Sequence, residues 1–172
     1  MLDRALDAIA KIMLVVAAII GFCLSFIVVA DVVGRVVFNS PLKGTPEIIS
    51  SAIVIICWLQ AAYAIRSGGM INVDAFTIHL PVRVQSVLAV FGALLGAGLF
   101  ALICYGSIEQ AQFAWESGEY DGEGALRVPA WPARFTLLIG AGLASVCYLL
   151  LAVKQARAFL AGAPPVEMSS SH

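Results

Sequence analysis

Four uncharged apolar runs, residues 12–30, 48–65, 84–108 and 135–153, constrain this chain more than any other feature. They hold 19, 18, 25 and 19 residues, and a helix crosses the hydrocarbon of a bilayer with ~17–25 apolar residues. Helix is the required form, because hydrocarbon offers no water to pair backbone N–H and C=O groups. Composition agrees. Of 172 residues, 61% are hydrophobic and 12% charged, against roughly 25% charged in soluble domains. A soluble fold of this size could not hide that much apolar surface. The expected fold class is an all-α membrane protein with four transmembrane helices. Residues 1–163 are expected to form one integral membrane domain, with 164–172 as a disordered tail. The longest segment outside the runs, 109–134, has 26 residues, too few for a separate soluble core. A net charge of −1 without a basic cluster excludes nucleic acid as a partner.

The segment 31–47 joins the first two runs. Asp31 and Arg35 stand at i,i+4 with the acid first, the favourable order for a helical ion pair. Asn39-Ser40-Pro41 ends the helix, because proline disfavours α geometry at the residue before it. Thr45-Pro46-Glu47 starts another: a hydroxyl cap, proline in the first turn and an acid beside the helix dipole. The expected result is a corner held by Arg35 and Glu47, with each other or with a neighbouring protein, Asp31 sharing the arginine.

From the chain's start, Leu2, Leu6, Ile9 and Met13 recur at helical spacing, with Asp3, Arg4, Asp7 and Lys11 between them. This predicts an amphipathic extension in contact with membrane lipid and running into the first span. A signal peptide is disfavoured, because the apolar run exceeds the usual ~7–15-residue signal core. If helix is unbroken to Phe38 it is ~54 Å long. With the N-terminus inside, six Lys/Arg lie in cytoplasmic segments and four in outer ones, which places both termini in the cytoplasm. Trp115 and Trp131 then flank the outer ends of the third and fourth spans, as interface aromatics do.

After Arg66 the chain leaves the membrane through Gly68-Gly69, a helix C-cap signal, and continues through Met70, Ile71, Asn72, Val73 and Asp74. The third span carries Ala89, Ala93, Ala97 and Ala101 in one row and Gly92/Gly96 on an adjacent strip. The fourth carries Gly140/Ala144 and Ala141/Ser145. In lipid, helices associate through close backbone approach and dispersion, so these rows mark packing faces, within the chain or on another protein. The acids Glu116, Glu119, Asp121 and Glu123 lack the spacing of a calcium loop. Beyond them, Val128-Pro129-Ala130-Trp131-Pro132 forms a stiff apolar approach to the last span.

Chemistry is sparse. The four cysteines, Cys23, Cys57, Cys104 and Cys147, lie one in each run, with no C-x-x-C, and read as small buried hydrophobes. The two histidines, His79 and His172, lie outside the runs and cannot hold a haem between helices. No phosphate loop, nucleophile triad or metal cluster is present. No catalytic residue, metal ligand or cofactor is therefore assigned, and enzyme activity is not expected. Gln60 is the most polar side chain in a run and reads as an interhelical hydrogen-bonding group.

Three stretches together do resemble a family. Arg35-Val36-Val37-Phe38-Asn39-Ser40-Pro41-Leu42, with Glu47 at the next helix start, resembles the first hairpin of the small membrane subunits of TRAP (tripartite ATP-independent periplasmic) transporters, the DctQ-like family. Ala64-Ile65-Arg66-Ser67-Gly68-Gly69-Met70-Ile71-Asn72-Val73-Asp74 resembles that family's cytoplasmic signature, with Met70 where the family often has histidine. Val128-Pro129-Ala130-Trp131 resembles its approach to the last span. The resemblance implies a non-catalytic subunit of the bacterial inner membrane. Its implied partners are a large multi-span subunit, which carries sodium and an organic acid, and a periplasmic substrate-binding protein. This chain would serve as scaffold or stator for the large subunit and help dock the binding protein. Asp31, Arg35, Asn39, Pro41, Glu47, Arg66, Gly68, Gly69, Asp74, Pro129 and Trp131 would be structural or interface residues. Two other readings are the small subunit of a tripartite tricarboxylate system and a stand-alone four-span membrane enzyme.

Overall fold

The computed structural model describes residues 2–40, 44–68, 81–121 and 128–161. Four helices account for most of them: α1 Leu2–Val37, α2 Thr45–Arg66, α3 Val82–Glu116 and α4 Trp131–Leu160. Each is long and apolar enough to cross a membrane. Between α3 and α4 lies an antiparallel ribbon, β1 Tyr120–Asp121 and β2 Val128–Pro129, with Tyr120 opposite Pro129. Every apolar run sits within one helix, and the helices continue past the runs into polar sequence. α1 runs from Leu2 without a break for 36 residues, which is ~54 Å at 1.5 Å per residue.

The corner between α1 and α2 departs from expectation in one respect. α1 ends at Val37, where the Gly34 carbonyl accepts from the N–H groups of Phe38 at 3.2 Å and Ser40 at 3.0 Å. Asn39 takes a left-handed φ of 49°, a conformation its short polar side chain tolerates. The cap of α2 is Gly44, not Thr45. Gly44 has φ 85°, a turn into the helix that glycine makes without steric penalty. Thr45 and Pro46 are therefore the first two helical residues, and Thr45 is buried.

The helices form an open row in the order α1, α2, α4, α3: α4 packs on both α3 and α2, and α2 packs on α1. Small residues make this possible. Gly140, Ala141, Ala144 and Ser145 are buried on α4, Ala93 and Ala97 on α3, Ala62 on α2, and Ala10 and Ala17 on α1. A Cβ on Gly140 would lie 2.5 Å from the Trp58 carbonyl oxygen, so α2 and α4 approach backbone to backbone. The α4 rows seen in the sequence thus pack inside the chain. The α3 rows divide: Ala93 and Ala97 face α4 and Gly96 faces the Tyr148 ring, while a Cβ on Gly92 would meet no other part of the chain within 4 Å. Larger side chains fill the remaining gaps, with Phe100 stacked on Tyr148 at 5.6 Å and edge-on to Trp58 at 6.2 Å. At the edges of the row, Phe22 and Phe26 of α1 and Leu102 and Tyr105 of α3 are exposed.

Candidate functional site

Charged and aromatic side chains gather at the two ends of the row. At one end, Arg66 closes α2 with its side chain only 12% exposed. Its Nε donates to Asp7 Oδ1. Its Nη2 donates to the Asp3 carbonyl oxygen at 3.2 Å and lies 3.4 Å from Asp3 Oδ1. Lys154 Nζ, from α4, donates to the same Asp3 oxygen at 2.8 Å. Asp3 and Asp7 stand one turn apart on the first turns of α1, so one face of that helix meets both α2 and α4. Three helices are thereby fastened by alternating charges. The sequence singled out Arg66 but read Asp3 and Asp7 only as polar residues of an extension. Their i,i+4 spacing, on the side of the membrane where α2 ends, is the signal that could have joined them to it.

At the opposite end, Arg35 Nη2 donates to Asp31 Oδ2 at 2.8 Å. Asp31 is buried, while the Arg35 side chain is 60% exposed. Among the described residues Arg35 is not joined to Glu47. The Glu47 Oε2 and Ser51 Oγ atoms, one turn apart on α2, are enclosed and lack a hydrogen-bond partner. Asn39 supplies the left-handed turn after α1, and Gly68 another after α2, with φ 67°. Pro41, Gly69 and Asp74, and with them Lys43 and Met70, lie outside the described residues.

Beside α4 at this same end, Trp131 meets Trp115 edge-on at 5.5 Å, and both meet Phe135, at 6.4 and 6.1 Å. Pro129 sits in β2 against Tyr120. α4 starts at Trp131-Pro132, four residues before the apolar run, because proline suits a helix's first turn. Arg134 donates to Gln110 Oε1 of α3 and stands 4.0 Å from Glu119.

Between these ends the polar contacts are few. Ser145 Oγ donates to the Ala97 carbonyl at 3.1 Å, tying α4 to α3. Cys104 Sγ lies 3.7 Å from the Leu138 carbonyl. Among the described residues no three His, Cys, Asp or Glu side chains come together as metal ligands would. The arrangement provides contacts between helices.

The profile of the family described as "Tripartite ATP-independent periplasmic transporters, DctQ component" matches residues 24–158. The chain belongs to the DctQ family. No curated protein and no solved structure matches it. DctQ is the small permease component of TRAP transporters, and membership implies association with a large permease and a substrate-binding protein. The DctQ match begins at residue 24. It therefore includes Arg66 and Lys154 but not their partners Asp3 and Asp7.

Proposed function

We propose that this chain is the fixed, non-transporting membrane subunit of a sodium-coupled carrier of organic acids in the bacterial inner membrane. One observation carries the reading. No Asp, Glu, Lys, Arg or His lies between Lys11 and Asp31, Glu47 and Arg66, Arg83 and Glu109, or Arg134 and Lys154, and the helices are unbroken there. Carriers of this kind hold ions and carboxylates near the bilayer midplane, with broken helix ends and ionisable groups. That task falls to the large subunit. This chain widens the fixed part of the complex in the membrane. Both termini face the cytoplasm, and the end bearing Arg35 and Glu47 faces the periplasm, where the substrate-binding protein docks.

Reconstitution tests this. Liposomes containing this chain alone take up no organic acid in a sodium gradient. Uptake requires the large subunit, this chain and the loaded binding protein together. A full rate without this chain rejects the scaffold role. For orientation, a periplasm-dependent reporter is active when fused after Gly44 or Ser117 and silent after Ser67 or Ala161.

A further inference from the structure

Where α3 ends, Gly118 turns the chain back with φ 61°. The Glu119 carbonyl then accepts the Ala130 N–H at 2.9 Å, and the ribbon holds Tyr120 opposite Pro129. These contacts shape an open cavity of roughly 200 Å³ lined by Trp115, Gly118, Glu119, Tyr120, Pro129 and Trp131. Its three aromatic rings are far from covered: Trp115 is 63%, Tyr120 54% and Trp131 41% exposed. The fourth chemical element is an acid. The Glu119 carboxylate stands 4.0 Å from Arg134 Nη2, past hydrogen-bond reach.

We propose that this cavity is a binding site for the ammonium headgroup of an aminoethyl phospholipid, of the phosphatidylethanolamine type. Aromatic faces attract a cation through their quadrupoles, most strongly in Trp. A carboxylate beside them accepts the charge-assisted hydrogen bonds of a primary ammonium. A quaternary ammonium has no such proton to donate. Arg134, adjacent to Glu119 and of opposite sign, suits the phosphate that follows the ammonium in such a headgroup. Tryptophans at the ends of spanning helices sit at headgroup level, so the ligand chemistry and its location coincide. The inference uses the chain's membrane placement and is independent of its role in transport.

The test titrates the full-length protein in detergent with short-chain phosphatidylethanolamine, phosphatidylcholine and phosphatidylglycerol, reading tryptophan emission. Phosphatidylethanolamine gives a saturable change, at least about tenfold tighter than the other two. Glu119→Gln and Tyr120→Ala each weaken it about tenfold, with unchanged helical circular dichroism. Equal response to all three lipids, no response, or undiminished binding in Glu119→Gln overturns the site. Preference for phosphatidylglycerol assigns the response to Arg134 and overturns it as well. Free ethanolamine binding as tightly as the lipid removes the lipid as occupant. Tighter binding of a lysine peptide than of any lipid assigns the cavity to a protein instead.

Discussion

Gly140 of α4 faces the peptide carbonyl of Trp58 in α2, leaving no room for a methyl group. Gly140→Ala places a carbon 2.5 Å from that oxygen, where neither backbone can yield cheaply. We expect a loss of about 1–3 kcal/mol, the usual range for overpacking. It appears as a lower melting temperature in detergent and a lower yield of the complex. Gly92→Ala meets nothing within 4 Å and should be neutral or slightly stabilising. Similar losses in both variants would refute the close approach.

Removing Arg66 should loosen the start of α1. Arg66→Ala leaves Asp3 and Asp7 without their shared cation, and only Lys154 still holds Asp3. Amide exchange over residues 3–10 should quicken, while exchange in the middle of α4 stays unchanged. Asp3→Asn combined with Asp7→Asn should reproduce the effect, and adding Arg66→Ala to that pair should contribute little more. Additive losses would mean that Arg66 acts through other contacts.

Of the four cysteines expected to be small buried hydrophobes, only Cys147 is buried in this chain. Cys23 and Cys57 are exposed and Cys104 is intermediate, so their replacement by alanine should leave stability and transport near normal. Cys147 is 3% exposed within the core cluster with Ala62, Ile65 and Ala144. Cys147→Ala should cost on the order of 1 kcal/mol through a small void. Uptake abolished in a well-folded fourfold variant points to thiol chemistry instead.

Glu47 offers a sharper choice. Its enclosed Oε2 has no partner among the described residues, and a buried unpaired polar atom is destabilising. Glu47→Gln removes the charge while keeping the shape, so the melting temperature of the isolated chain should hold or rise. If the large subunit supplies a cation at this point, the same variant lowers the yield of the complex. A drop in the isolated chain's melting temperature would show that the carboxylate is already paired. Arg35→Ala, by contrast, breaks a partly exposed pair within one helix and should cost about 0.3–0.5 kcal/mol.

The spans were legible because bilayer thickness sets a length that sequence can be compared with directly. Helix ends were less so. The apolar run closes at Ile108, yet α3 continues through Gln110 and Gln112 to Glu116, since polar residues with good helix propensity extend a helix once it leaves hydrocarbon. The glycine cap at Gly44 is hard to read from sequence because Thr45 beside it carries a side chain that usually caps a helix. Tertiary pairing was out of reach. Arg66 finds Asp7 across 59 residues, through a register between α1 and α2 that depends on Ala10 and Ala62 packing closely. Spacing identified small-residue faces on α3 and α4 but not their partners. That Ser145 reaches Ala97 while Gly92 faces outward is a matter of helix rotation. Trp115 and Trp131 were recognisable as interface residues, whereas the cavity between them depends on a ribbon too short to leave a pattern.

The two edge helices are the longest, and their polar surplus lies at diagonally opposite corners. α1 carries Asp3, Arg4, Asp7 and Lys11 beyond one side of the hydrocarbon, while α3 carries Glu109 and Glu116 beyond the other. Rotation of the row within its own plane, in one sense, would pull both corners into lipid together. Each charged residue so submerged costs ~2.5–3.5 kcal/mol at the centre of the hydrocarbon. Rotation in the other sense submerges Asp31 and Arg35 of α1 and Arg83 of α3 instead. The row therefore behaves as a keel with a stop on both sides. A mobile domain rising and falling beside it would push against a body that resists tilt in either direction.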